Sequence, residues 1–279
     1  MSGSLFVSTE WLAAHLGEPD LVIIDGTFLL PSEGRNAYEE YRASHIPGAV
    51  FFDIDEIADH STNLPHMLPT PEAFAKAVGA LGISDTSRIV VYDTSNFQGG
   101  ARVWWTLRLY GAKDVKLLAG GFARWKAEGR PLEQGQVRRP PQTFTAHFDE
   151  AGVASLDDVR AIMRDGSRQI VDARPAARFR GEAAEPRPGV RSGHIPGSFN
   201  LPSRDLVKDG EIKPPQEIAA AFEQAGVNIS KPMLTTCGSG VTAAILLLGL
   251  ATLGQDDVRL YDGSWSEWGA RSDTPIEKS

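Results

Sequence analysis

"ASHIPGAVFFDID" at Ala43–Asp55 returns as "SGHIPGSFNLPSRD" at Ser192–Asp205, with the two histidines 149 residues apart. Two further pairs follow in the same order. "DLVIIDG" (Asp20–Gly26) matches "RQIVDAR" (Arg168–Arg174), with Asp25 and Asp172 offset by 147. "DVKLLAGGFARW" (Asp114–Trp125) matches "DVRLYDGSWSEW" (Asp257–Trp268), with the final tryptophans offset by 143. Three matches in one order with a slowly drifting offset mark two copies of one domain, and the period is far too long for a solenoid. A chain of 279 residues accommodates two domains of ordinary size.

Between the copies, "PLEQGQVRRPPQTFTAHFDEAG" (Pro131–Gly152) has paired prolines, polar residues and no helical period, and reads as an extended linker. The expected division is a first domain at residues 1–133, a linker at 134–151 and a second domain at 152–279. Ser8 and Ser155 are candidate N-caps, and Ser155 with Asp158 has capping-box spacing. The helices they start end near Gly17 and Gly166. Short β-branched runs alternate with the helices: "LVIID", "RIVVYD" and "VKLL" in copy one, "QIVDA", "MLTTC" and "VRLYD" in copy two. That alternation predicts an α/β fold in which each copy is a mostly parallel sheet with helices on both faces. Ligands then bind at the carboxyl ends of strands. Pro then Gly in each HIPG suits a type II turn, so His45 and His194 read as turn residues ahead of a strand.

Composition excludes several function classes. Apolar content of 42% and charged content of 23% are globular values. A formal net charge of −8 argues against a nucleic-acid binder. One cysteine makes neither an internal disulfide nor a Cys-based zinc site, and it fits a reducing compartment. Neither HExxH nor a calcium-loop pattern occurs, so no metal is expected. The start, "MSGSLFVSTEWLAAHLG", lacks a signal-peptide pattern, and the longest apolar run, "AAILLLGLA" (Ala243–Ala251), is too short to span a bilayer. A cytoplasmic protein without membrane or nucleic-acid partners is expected.

That one cysteine stands in "TTCGSGVTAAILLLGLATLG" (Thr235–Gly254), between a strand pattern and a helix pattern. A free cysteine is commonly plain core. Here Gly238, Ser239, Gly240, Val241, Thr242 and Ala243 form a short turn whose N–H groups can converge on one point, and the following helix adds its positive end. A thiolate is the nucleophilic form of cysteine, so the neighbourhood favours a nucleophile. "GSGVTA" also matches G-x-G-x-x-A with Asp256 and Asp257 downstream, but too little chain remains for a dinucleotide fold. A phosphate-cradling cysteine loop would close with an arginine, whereas Val241-Thr242-Ala243 follows here. Copy one places Asp93 where copy two has Cys237, so it carries no thiol chemistry.

Two HIPG-containing copies, a Pro-rich linker and a cysteine loop in the second copy together resemble the tandem rhodanese-type sulfurtransferases. The loop "CGSGVTA" is similar to that of the 3-mercaptopyruvate-using branch; the thiosulfate-preferring branch carries basic residues just after the cysteine, which this chain lacks. The resemblance implies two tandem rhodanese-like domains, the first non-catalytic. It implies that Cys237 takes sulfur from 3-mercaptopyruvate, releases pyruvate and passes a persulfide sulfur to a thiol or to cyanide. The thiol acceptor would be thioredoxin-like or of low molecular weight, and no cofactor is required. In "ARFRGEAAEPRPG", Arg178 and Arg187 match by motif the pair that binds the substrate's carboxylate and keto oxygens, with Arg180 an unassigned neighbour. In "FFDIDEIADHSTNLPHMLP", Asp55 and His66 lie at the family's spacing and with Ser239 would form a proton relay. Without the resemblance this stretch also reads as a solvated acidic loop. Two alternatives remain: a thiosulfate sulfurtransferase, and a non-catalytic sulfur-carrier or binding module.

Overall fold

A computed structural model describes residues 4–30 and 33–279. The reading of the chain's start as free of a signal peptide falls partly on residues 1–3, outside the described residues. The chain divides into two compact units. The first runs through Asp59 and takes in Leu68–Asp149 and Asp209–Glu211; the second comprises His60–Met67, Glu150–Lys208 and Ile212–Ser279.

In the first unit the order is β1 (Phe6–Val7), α1 (Thr9–Ala14), β2 (Leu21–Asp25), α2 (Ala37–Ala43), β3 (Val50–Phe51), α3 (Pro71–Ala80), β4 (Arg88–Tyr92), α4 (Gln98–Leu109), β5 (Asp114–Leu118) and α5 (Gly121–Ala127). The second unit runs β6 (Val153–Ala154), α6 (Leu156–Asp165), β7 (Gln169–Asp172), α7 (Ala176–Phe179), β8 (Phe199–Asn200), β9 (Val207–Lys208), β10 (Glu211–Ile212), α8 (Pro215–Gln224), β11 (Met233–Thr236), α9 (Ala243–Thr252), β12 (Val258–Tyr261) and α10 (Ser264–Trp268); the first residue of β10 groups with unit one. The main sheets are β1-β5-β4-β2-β3 and β6-β12-β11-β7-β8, the same order in both units, and β9 pairs with β10 apart from them. Every paired strand of the two main sheets runs parallel.

All five residues of β2 and all four of β11 are buried, as expected of strands covered on both faces. On one face of the first sheet Leu21, Ile23, Val90 and Leu118 pack with Leu12, Phe122 and Trp125; on the matching face of the second, Ile170 and Leu234 pack with Val159, Trp265 and Trp268. Helix α9 is apolar all round and is buried accordingly. The local signals take the expected form. Ser8 caps α1, Ser155 and Asp158 close a capping box, and Gly166 ends α6 at φ 65°. In each HIPG the fourth residue is left-handed (Gly48 φ 77°, Gly197 φ 74°) and an N–H bonds back to the isoleucine carbonyl. Both histidines are buried and bonded to a backbone carbonyl, His45 to Tyr41 and His194 to Phe179.

The stretch between the copies has little regular structure, yet it is held. Gln142, His147 and Asp149 donate N–H bonds to the carbonyls of Gly79, Tyr110 and Leu109, and Phe144 is buried. It therefore packs along the first unit instead of spanning open solvent. No helix of the described residues is long and apolar enough to cross a membrane.

Candidate active site

Strand β11 ends at Thr236, and its partner β7 ends alongside at Asp172, so Cys237 emerges at the carboxyl edge of the sheet. The thiol is 2% exposed. The loop from Cys237 to Thr242 is fastened from α10. Ser264 Oγ accepts the Cys237 N–H (3.2 Å) and donates to the Tyr261 carbonyl (2.7 Å). The Trp265 N–H donates to the Cys237 carbonyl, and Ser266 gives both its N–H and its Oγ–H to the Gly238 carbonyl. Ser264 reaches this position with φ 49°, a left-handed conformation that costs a non-glycine residue free energy. Among the described residues, the N–H groups of Gly238, Ser239, Val241 and Thr242 donate no hydrogen bond within the protein. Unspent donors beside a thiol are what an anion formed there would need.

Both arginines of the sequence reading converge on Gly238. A Cβ built on Gly238 would stand 3.2 Å from Arg178 Nη2, so that guanidinium lies against the residue next to the thiol. Arg187 Nη1 donates to Ser266 Oγ (3.4 Å), the hydroxyl that holds the Gly238 carbonyl. Arg178 is itself held by Glu185, a carboxylate only 4% exposed. Glu185 also takes an ion pair from Arg174 (2.8 Å). Arg174 is the most enclosed cation of the second unit. It donates to both carboxylate oxygens of Asp172 and to the Gly193 carbonyl, and lies 4.3 Å over the Trp265 ring. A buried charge needs such satisfaction on every side. The run Asp172–Arg174–Glu185–Arg178 thus ties the sheet edge to a guanidinium beside the cysteine loop. Arg180 pairs with Glu182 at the surface.

His66 belongs to the segment that groups with the second unit. It is 8% exposed, has φ 59°, and its Nδ1 lies 3.4 Å from the Ser239 carbonyl oxygen, so this contact uses the backbone of Ser239 and not its hydroxyl. Asp55 is exposed in the first unit, where its N–H donates to Asp53 Oδ1. No group of three or more His, Cys, Asp or Glu side chains suited to a metal occurs among the described residues. Ser264, Ser266, Arg174 and Glu185 were not singled out by sequence reasoning. The repeat held the signal for three of them: the copy-one partners of Ser264, Ser266 and Arg174 are Gly121, Ala123 and Thr27.

The rhodanese-like domain model matches residues 8–128 and again 155–271. A 3-mercaptopyruvate sulfurtransferase of Escherichia coli strain K12 is 49% identical over 99% of both chains. The Arabidopsis thaliana thiosulfate/3-mercaptopyruvate sulfurtransferase 1, mitochondrial, is 44% identical over 97% of this chain and 77% of that one. Among solved structures, a 3-mercaptopyruvate sulfotransferase of Escherichia coli superposes with a TM-score of 0.88 at 45% identity, covering 94% of this chain and 99% of the other. With one rhodanese-like domain in each half and relatives of this identity over nearly its whole length, the chain belongs to the tandem rhodanese-like sulfurtransferase family.

Proposed function

We propose that this chain is a 3-mercaptopyruvate sulfurtransferase working through a persulfide on Cys237. The observation that carries the reading is the cysteine loop itself: a lone thiol, N–H donors unspent around it, and the Arg178 guanidinium against Gly238. Arg178 and Arg187 hold the carboxylate and keto oxygens of the donor, for which the planar guanidinium fork is suited. The Cys237 thiolate attacks the donor sulfur, and an S–S bond forms as the C–S bond breaks. The departing electron pair resides in pyruvate enolate, which becomes pyruvate on taking a proton. His66, beside Ser239, with Asp55 forms the route we assign to that proton. The loop N–H groups stabilise the anionic persulfide. A thiol, thioredoxin-like or small, or cyanide then attacks the outer sulfur, and Cys237 returns as the thiolate. A free thiol with this role suits a reducing compartment such as the cytoplasm.

The reading is tested by donor choice. Thiosulfate is a compact dianion and calls for positive charge within the loop, where Gly238 and Ser239 supply none. The wild type should favour mercaptopyruvate in kcat/KM, and G238R/S239K should move the ratio toward thiosulfate. A wild type that favours thiosulfate would assign the chain to that donor instead. Donor alone should add the mass of one sulfur atom to the protein.

A further inference from the structure

The first unit holds a pocket of about 440 Å³ at the carboxyl edge of its own sheet. Asp25, Thr27, Ser44 and Phe122 line it. These are the copy-one partners of Asp172, Arg174, Gly193 and Trp265. In the second unit Asp172, the Gly193 carbonyl and the Trp265 ring enclose the guanidinium of Arg174. The local backbone is the same in both: the Thr27 N–H donates to Asp25 Oδ1 at 2.9 Å, and the Arg174 N–H to Asp172 Oδ1 at 2.9 Å. Threonine in place of arginine leaves the buried acid and the aromatic face without the cation that fills the equivalent space.

A second substitution runs in the same direction. Tyr41 stacks on His45 and gives it a carbonyl, as Phe179 does for His194. The residue before each ring is therefore equivalent, and it is Arg178 in copy two but Glu40 in copy one. Glu40 lines the pocket, so the first unit presents a carboxylate where the second presents a guanidinium. Of the pocket's own cations, Arg35 is spent on Glu40 through two hydrogen bonds (2.7 and 2.6 Å). The other, Lys126, is exposed and lies 5.5 Å from the Phe122 ring centre, so this aromatic face already attracts a cation.

We propose that the pocket of the first unit is a binding site for a guanidinium group, seated against Asp25 and over Phe122 as Arg174 is seated in the second unit. Burial pushes the Asp25 carboxyl up to about 6, with the Thr27 hydrogen bonds and the Tyr92 hydroxyl opposing that shift and Asp93 adding to it. A bound cation draws Asp25 into its ionised form, so binding strengthens as pH rises through about 6. The other titratable groups facing the site are Arg35, Glu40, Tyr41 and Lys126.

The experiment titrates the full chain with methylguanidine, L-arginine and N-acetyl-arginine amide, with methylammonium and acetate as controls, by calorimetry at pH 5 and 7.5. Saturable one-to-one binding of the guanidinium probes is expected, tighter at pH 7.5, and the tightest probe identifies a bare guanidinium compound, the free amino acid or a peptide-borne side chain as the source. Thr27→Arg supplies the missing side chain from within and should abolish binding while sulfur transfer by the second unit continues. Asp25→Asn should weaken binding at least tenfold, and Lys126→Ala should strengthen it. Absence of saturable guanidinium binding, binding undiminished in a folded T27R, or a preference for acetate would overturn the proposal.

Discussion

The two units spend the same loop differently. In the first, the residue after β4 is Asp93, and its carboxylate accepts hydrogen bonds from the N–H groups of Phe97 (3.1 Å) and Gly100 (2.8 Å) and from the Ser95 hydroxyl. In the second, the residue after β11 is Cys237, and the N–H groups of Gly238, Ser239, Val241 and Thr242 are unspent among the described residues. One unit carries a built-in carboxyl group that closes its loop. The other leaves its donors open, as the proposed anionic persulfide would require. The fastening differs to match: Gly121 adopts φ 54° at no steric cost, whereas Ser264 adopts φ 49° against its preference and uses the hydroxyl to hold the cysteine's N–H. A scaffold suited to burying a carboxylate becomes a candidate catalytic loop through a handful of exchanges at one sheet edge.

The comparison breaks most completely at the thiol. Cys237→Ser should abolish turnover and the sulfur mass gain, and adding Asp93→Cys to that variant should restore neither, because the first unit lacks partners for Ser264, Arg174 and Arg178; intact mass after donor treatment reads both outcomes. A second effect concerns the two buried acids. Asp25 has no buried cation and holds its proton up to about 6 against an ordinary 3.8. A carboxyl raised in the folded state contributes stability that is full below about pH 4 and is lost as pH rises through about 6. Asp25→Asn does not titrate, so wild type should lose roughly 3 kcal/mol relative to the variant between pH 4 and 7.5, as urea denaturation at the two pH values would show. Third, Glu185→Gln loosens Arg178 beside the loop. A cost of about 2 kcal/mol in kcat/KM is expected, expressed mainly in KM for the donor and only weakly in kcat, which separates positioning of the arginine from damage to the thiol's surroundings. The smallest effect belongs to Ser264→Gly, which relieves the φ strain and forfeits the hydroxyl. About 1 kcal/mol of kcat/KM should be lost with thermal stability nearly unchanged, and S264A should be the less stable of the two variants.

Much of the fold was legible. Strand β2 coincides with "LVIID", and β4, β7, β11 and β12 stop one residue short of the runs that predicted them, because uninterrupted β-branched segments in a doubly covered sheet leave little ambiguity. The edge strands Phe6–Val7 and Val153–Ala154, like Val50–Phe51 and Phe199–Asn200, are two residues long and exist only through pairing with a neighbour, which no local pattern announces. At the candidate site, the Cys237 loop was visible as glycine spacing, while Arg178 and Arg187 rested on the family resemblance. Glu185 and Ser264 were not visible, since each acts through a tertiary contact: Glu185 clamps Arg174, 11 residues before it, and Arg178 of α7, 7 residues before it, and Ser264 reaches the cysteine's N–H from 27 residues away.

The chain's single cysteine has a consequence for oxidative damage. Should Cys237 be oxidised to a sulfenic acid, no resolving thiol exists in the chain to condense with it. Rescue must come from an outside thiol before further oxidation makes the loss permanent. Burial to 2% exposure limits access by the oxidant and by the rescuer alike. Resistance to peroxide should therefore depend on how much small thiol surrounds the protein more than on anything encoded in its fold.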